Sequence, residues 1–135
     1  MDYPLEYTAH VRVNYYDTDQ MGVVWHGNYL KYFEDAREEM FRECGLPYSE
    51  IERAGVIMPI VETGLTYRRP ARYDEVLSIK VRVADPPRAR VRVEYEVLAP
   101  DGAVCVTGFT DLAFVSASTG APCRPPEALR PPRRA

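Results

Sequence analysis

The sequence predicts an α+β domain in which an antiparallel five-stranded sheet wraps around one long central helix, in the order β-α-β-β-β-β along the chain. Three observations carry that prediction. Between residues 28 and 44 the apolar positions recur at spacings of three and four, as they do on one face of a helix. On either side of that segment, apolar and polar residues alternate with a period of two, the pattern of half-buried strands. Asp85-Pro86-Pro87 and Pro100-Asp101-Gly102 supply tight-turn chemistry between successive strands, which suits antiparallel neighbours. A single amphipathic helix cannot bury its own stripe, and a sheet with one apolar face needs a cover. Each therefore covers the other.

The first strand is expected over Tyr7–Tyr15, with Tyr7, Ala9, Val11, Val13 and Tyr15 on one face and Thr8, His10, Arg12 and Asn14 on the other. A polar loop over Asp17–Gly22 breaks the alternation. In the helix, Tyr29, Leu30, Phe33, Ala36, Met40, Phe41 and Cys44 form the apolar stripe. Glu34, Asp35, Arg37, Glu38, Glu39, Arg42 and Glu43 fill polar positions. Asn28 reads as the N-cap, and Gly45 followed by Pro47 as the stop. A short helical turn is expected over Tyr48–Ala54, capped by Ser49. Strands follow over Val56–Tyr67, Val76–Val83, Arg90–Val97 and Val104–Val115. After Ser116 the chain becomes rich in proline and arginine and reads as an exposed tail. Residues 1–135 form one domain, with its core over 7–115 and the tail over 116–135.

Composition excludes several classes of function. A hydrophobic fraction of 46% with 27% charged residues is that of a globular chain able to bury a core. The net charge of −3 leaves no electrostatic footprint for nucleic acid. No apolar run approaches the roughly 20 residues that span a bilayer, so membrane insertion is not expected. Met1–Glu6 lacks the features of a secretory signal. Cys44, Cys105 and Cys123 are odd in number and widely spaced, without a C-x-x-C pair. That pattern disfavours a zinc site and fits a reducing cytoplasm. No metal and no cofactor is implied.

The densest run of chemically capable groups is Tyr15–Asp35, which joins two carboxylates, a histidine and a tryptophan to the start of the helix. Asp17 and Asp19 are two residues apart; if the alternation of the strand persists, they point to the same side. Either could act as a base or support the loop through an Asx turn. His26 lies just before the helix, where unpaired N–H groups and the helix dipole can hold a developing oxyanion. Gly22 and Gly27 permit positive φ or close backbone approach around it. Trp25 and Tyr29 fit an acyl pocket or the core equally well, and His10 faces outward on its strand.

The run T-D-x-x-G-V-V-x-H-x-N-Y over Thr18–Tyr29 resembles the signature of the 4-hydroxybenzoyl-CoA thioesterase family, whose members have the hotdog fold. It is most similar to the bacterial acyl-CoA thioesterases encoded with the Tol–Pal system, through D-T-D, G-V-V-x-H and N-Y-L. The likeness continues through G-L-P at Gly45, P-I-V at Pro59 and Y-D-E-V-L at Tyr73, covering residues 7–115. The resemblance implies a thioesterase that cleaves acyl-CoA to free acid and CoA. It assigns Asp19 as nucleophile or general base and leaves Asp17 as a structural carboxylate. It gives the backbone N–H of His26 to the thioester carbonyl and its imidazole to the substrate. Gly22, Val24, Trp25 and Tyr29 become the substrate-binding surface. Among Arg68, Arg69, Arg72, Arg88 and Arg90, the CoA phosphates fall to Arg88 and Arg90. Such proteins assemble as homodimers or homotetramers with active sites at the subunit interface. Two alternatives are an acyl-carrier-protein thioesterase, which the acidic net charge disfavours, and a non-catalytic hotdog subunit that binds acyl-CoA or scaffolds other enzymes. A third, with Glu34 or Glu38 as catalytic carboxylate, fits less well than the intact loop motif.

Overall fold

The computed structural model describes residues 1–131; the tail residues 132–135 lie outside the described residues. Strand β1 (Leu5–Arg12) leads through a short 3-10 turn (Tyr15–Asp17) and a loop into helix α1 (Asn28–Glu43). Helix α2 (Tyr48–Arg53) follows, then strands β2 (Val56–Ile57), β3 (Ile60–Tyr67), β4 (Val76–Val83), β5 (Arg90–Leu98), β6 (Val104–Ala113) and β7 (Val115–Ser116). The five long strands form one antiparallel sheet in the order β1-β4-β5-β6-β3, while β2 and β7 make a separate two-stranded ribbon.

The inner face of the sheet follows the alternation. Leu77, Ile79, Val81 and Val83 on β4 and Val91, Val93, Tyr95 and Val97 on β5 are all buried. α1 lies against that face through Tyr29, Tyr32, Phe33, Ala36, Met40 and Phe41. Phe33 stacks on Tyr95 with ring centroids 4.1 Å apart and planes 2° from parallel. This depth of insertion depends on Gly108, where a Cβ would lie 2.8 Å from the Phe33 ring and 2.7 Å from the Gly64 carbonyl. Truncating Phe33 would cost about 3–5 kcal/mol.

Several elements differ from expectation. β1 ends at Arg12 because Val13 turns inward and the chain coils at Tyr15–Asp17, which leaves Tyr15 exposed rather than on the buried face. Asn28 is the first helical residue and Gly27 the cap, since the Asn28 side chain donates to the Asp17 carbonyl instead (2.8 Å). Pro47, not Ser49, precedes α2. The expected strand Val56–Tyr67 is two strands, broken at Met58-Pro59, where proline cannot donate to a ladder. The helix stripe omits Leu30, which is exposed, and takes in Tyr32 and Arg37. Arg37 is buried because its guanidinium donates to the hydroxyls of Tyr48 (2.7 Å) and Tyr95 (2.9 Å). Through residue 131 the tail is not an exposed appendage. Cys123 N–H donates to the Phe114 carbonyl, Tyr3 Oη donates to the Leu129 carbonyl, and Pro125, Pro126 and Leu129 are buried.

Candidate active site

The loop between the 3-10 turn and α1 is built around two aspartates in contrasting surroundings. Asp17 is 1% exposed, and its carboxylate accepts hydrogen bonds from the Asn14 N–H (3.0 Å), the Tyr32 hydroxyl (2.9 Å) and the Lys31 ammonium. Burial alone would raise its pKa, but the bonds from Lys31, Asn14 and Tyr32 outweigh burial and hold the carboxyl below the ordinary aspartate range. Its carbonyl accepts from the Trp25 N–H and the Asn28 side chain, so one residue ties the 3-10 turn to the first turn of α1. Three donors thus engage both of its carboxylate oxygens.

Asp19 opens a tight turn. Its N–H donates to the Val23 carbonyl (2.9 Å), Gly22 N–H donates back to its own carbonyl (3.0 Å), and Oδ1 accepts from the Met21 N–H (2.8 Å). The turn requires positive φ at Gly22 (+76°), which a side chain would strain. The Asx turn is therefore real and uses one carboxylate oxygen. Among the described residues, Oδ2 takes no hydrogen bond, and Asp19 lines a cavity of about 280 Å3 together with His26, Tyr29, Tyr67, Arg68 and Val24. The two aspartates occupy different surroundings, because buried Asp17 closes the 3-10 turn and Asp19 opens the next turn.

His26 sits two residues before α1. Among the described residues its N–H has no hydrogen-bond partner, whereas the neighbouring Trp25 N–H donates to the Asp17 carbonyl and the Asn28 N–H to the Trp25 carbonyl. The His26 carbonyl accepts from the Tyr67 hydroxyl (3.0 Å), and its ring meets the Tyr67 ring edge-on with centroids 6.4 Å apart. Trp25 packs against the His26 ring and lies across Gly27, where a Cβ would fall 2.3 Å from the indole. Gly27 is thus required by the tryptophan rather than by its own φ. Tyr29 is buried and lines the cavity, and its hydroxyl accepts from the Ala71 N–H (3.3 Å).

The structure brings together Asp19, Val24, His26 and Tyr29 in this cavity. Gly22 shapes the turn beside it, and Trp25, 49% exposed, stands outside its lining. Arg88 and Arg90 are placed elsewhere in the chain. Arg88 lies in the loop between β4 and β5, at the far end of the sheet, and Arg90 faces Glu62 and Asp111. The arginines that do line the cavity are Arg68 and Arg69; Arg69 is paired with Asp101 (2.8 Å), so Arg68 is the one without a carboxylate partner among the described residues. Tyr67 was not singled out by sequence, where it reads only as the last residue of a strand. The run of Arg68-Arg69-Pro70 directly after it was the available signal that β3 ends at a site. No group of histidine, cysteine, aspartate and glutamate side chains with metal-binding geometry occurs among the described residues.

With this geometry in view, comparison with known proteins is informative. A family model described as the Thioesterase-like superfamily matches residues 13–132. A DHNA-CoA thioesterase structure from Staphylococcus aureus superposes with a TM-score of 0.83 and 31% identity, over 88% of this chain and 80% of that one. The 4-hydroxybenzoyl-CoA thioesterase of a Pseudomonas species is 33% identical over 81 residues, 58% of this chain and 57% of its own length. The acyl-CoA thioester hydrolase YbgC of Escherichia coli O6:H1 is 36% identical over 73 residues, 54% of each chain. The chain therefore belongs to the Thioesterase-like superfamily and has the hotdog fold.

Proposed function

We propose that the chain hydrolyses acyl-CoA thioesters, with Asp19 as the catalytic carboxylate and the His26 N–H as oxyanion donor. The observation that carries this reading is the pairing of a half-used carboxylate with an unpartnered N–H at the entry to a 16-residue helix, both at one cavity. The aligned peptide dipoles of α1 favour negative charge where the carbonyl oxygen would develop it. Attack by Asp19, or by a water that it deprotonates, forms the new C–O bond at the acyl carbon. The C–S bond then breaks and CoA leaves as thiolate, to be protonated by solvent. In the first route one water then cleaves the mixed anhydride, releasing the acid and restoring Asp19. Tyr67 holds the His26 carbonyl, in the His26–Gly27 peptide, and so restrains the residue whose N–H is the donor. Arg68 is suited to the substrate's phosphates at the cavity mouth. Three free thiols fit action in a reducing cytoplasm, and no helix among the described residues is long and apolar enough to cross a membrane.

The reading includes a second copy. β3 is an edge strand with Ile60 (53%) and Val61 (47%) exposed, an unusual liability for a lone chain. Antiparallel pairing of two β3 edges about a two-fold axis would bring the Ile60 end of one protomer beside the Tyr67 end of the other. The Arg90 cluster would then approach the partner's cavity, which is where its expected contact with CoA becomes possible. Val61→Lys should shift a dimer or tetramer toward monomer in light scattering and lower turnover in parallel; an oligomer unchanged by it would remove β3 as the interface.

Thiol release from a panel of short, long and aromatic acyl-CoAs tests the chemistry. Asp19→Asn should lower kcat by roughly 10³-fold or more. If no acyl-CoA is turned over while an acyl carrier protein thioester is, the substrate class is wrong. If Asp19→Asn keeps near-native turnover, the assignment of the carboxylate is wrong.

A further inference from the structure

At the end of the sheet remote from Asp19, the last described residues fold over the start of the chain and enclose a cavity of about 860 Å3. The register places it there: Leu5 pairs with Val83 at this end, and Arg12 pairs with Val76 at the other. An eight-residue strand spans about 25 Å, so the two cavities of one protomer are separate sites. Arg88, Arg124 and Arg130 line it, with Glu127 as the one acidic residue in the lining. Among the described residues none of these three arginines forms an ion pair, whereas Arg12, Arg82, Arg90 and Arg92 on the sheet all do. In a chain of net charge −3, that concentration of uncompensated cations is local.

Arg130 and the segment that carries Arg124 are also held in place. Arg130 Nε donates to the Pro125 carbonyl (3.0 Å), Tyr3 Oη fastens the Leu129 carbonyl (2.6 Å), and the fully buried Leu129 anchors the segment between Arg124 and Arg130. Their remaining N–H groups form planar forks that match phosphate oxygens. Pro87, Pro125 and Pro131 give the rest of the wall flat apolar surface, suited to a ring rather than to a bare ion. The volume is that of a site for a small organic molecule.

We propose that this cavity binds a phosphorylated, nucleotide-sized ligand, with Arg88, Arg124 and Arg130 on its phosphates. The ligand could be the nucleotide end of CoA or a free nucleotide, because both present the same chemistry. Calorimetric titration of the full chain with adenosine 3′,5′-bisphosphate, ADP and adenosine tests it. Both phosphorylated probes should bind, and adenosine should not. Affinity should fall at least tenfold in R88Q/R124Q and rise severalfold in E127Q. The absence of binding by either phosphorylated probe overturns the proposal, as does an affinity unchanged in R88Q/R124Q. If that double variant melts early, E127Q, which alters an exposed side chain, carries the test, and an unchanged affinity there also overturns it. Preference for the bisphosphate together with a raised KM in R88Q/R124Q identifies the CoA nucleotide as the source. Preference for ADP with KM unchanged identifies a free nucleotide. Asp19→Asn should bind both probes as the native chain does, so failure of the thioesterase reading and failure of this site are separately visible.

Discussion

Asp17 and Asp19 are two residues apart on one loop, yet their surroundings divide structural from chemical work. Asp17 is buried, and both of its carboxylate oxygens accept from donors on Asn14, Lys31 and Tyr32. Asp19 spends one oxygen on a turn, keeps the other free of hydrogen bonds among the described residues, and lines a cavity. A carboxylate saturated by fixed donors is a poor nucleophile and a poor base, since its lone pairs are already engaged and its charge already stabilised. In the proposed mechanism the partly used carboxylate is the reactive one. Identity of residue and proximity in sequence do not separate these roles; the donors around each do.

Crossing the two substitutions breaks the comparison most sharply. Asp19→Asn should remove nearly all turnover and leave the melting temperature within a few degrees of native. Asp17→Asn should do the reverse in kind, lowering unfolding free energy by about 2 kcal/mol in urea titration, because an amide offers one acceptor oxygen where the carboxylate serves three donors. A native-like urea midpoint for Asp17→Asn would show that the network is not structural. The same contrast has a pH signature. The folded-state pKa of Asp17 is depressed, so its contribution is present in full above the unfolded-state value of about 4 and is lost as pH falls through the lower folded value. The stability gap between native chain and Asp17→Asn should therefore be constant from pH 7 to 5 and narrow on acidification to pH 3. The smallest effect is expected at Tyr67→Phe. Losing one hydrogen bond to the His26 carbonyl, worth about 1 kcal/mol, should reduce kcat about fivefold while KM changes little.

Much of the fold was legible because it rests on local periodicity. β4 and β5 bury every second residue, and α1 ends where Gly45 stops it. The loop motif singles out Asp19 and His26, and both line one cavity. What was not legible depends on partners distant in the chain. Arg37 looks like a surface residue until the hydroxyls of Tyr48 and Tyr95 arrive to hold it, the latter 58 positions away. Asn28 is an ordinary N-cap by type, but the Asp17 carbonyl, 11 residues earlier, claims its side chain. The proline- and arginine-rich tail hides Leu129, a single apolar anchor that packs only because Tyr3 lies beneath it. Tyr67 gains its role from the His26 carbonyl across 41 residues, beyond the reach of any local pattern.

The hydrogen bond from Tyr67 to the His26 carbonyl has a kinetic consequence. Tyr67 is the last residue of the edge strand β3, so the exposed edge lies one hydrogen bond from His26, the residue proposed to supply the oxyanion donor. If two copies meet along that edge, catalytic competence becomes a property of the assembled pair, and specific activity acquires a dependence on enzyme concentration. After rapid dilution, progress curves would bend downward as protomers separate, and excess substrate bridging the interface would straighten them again.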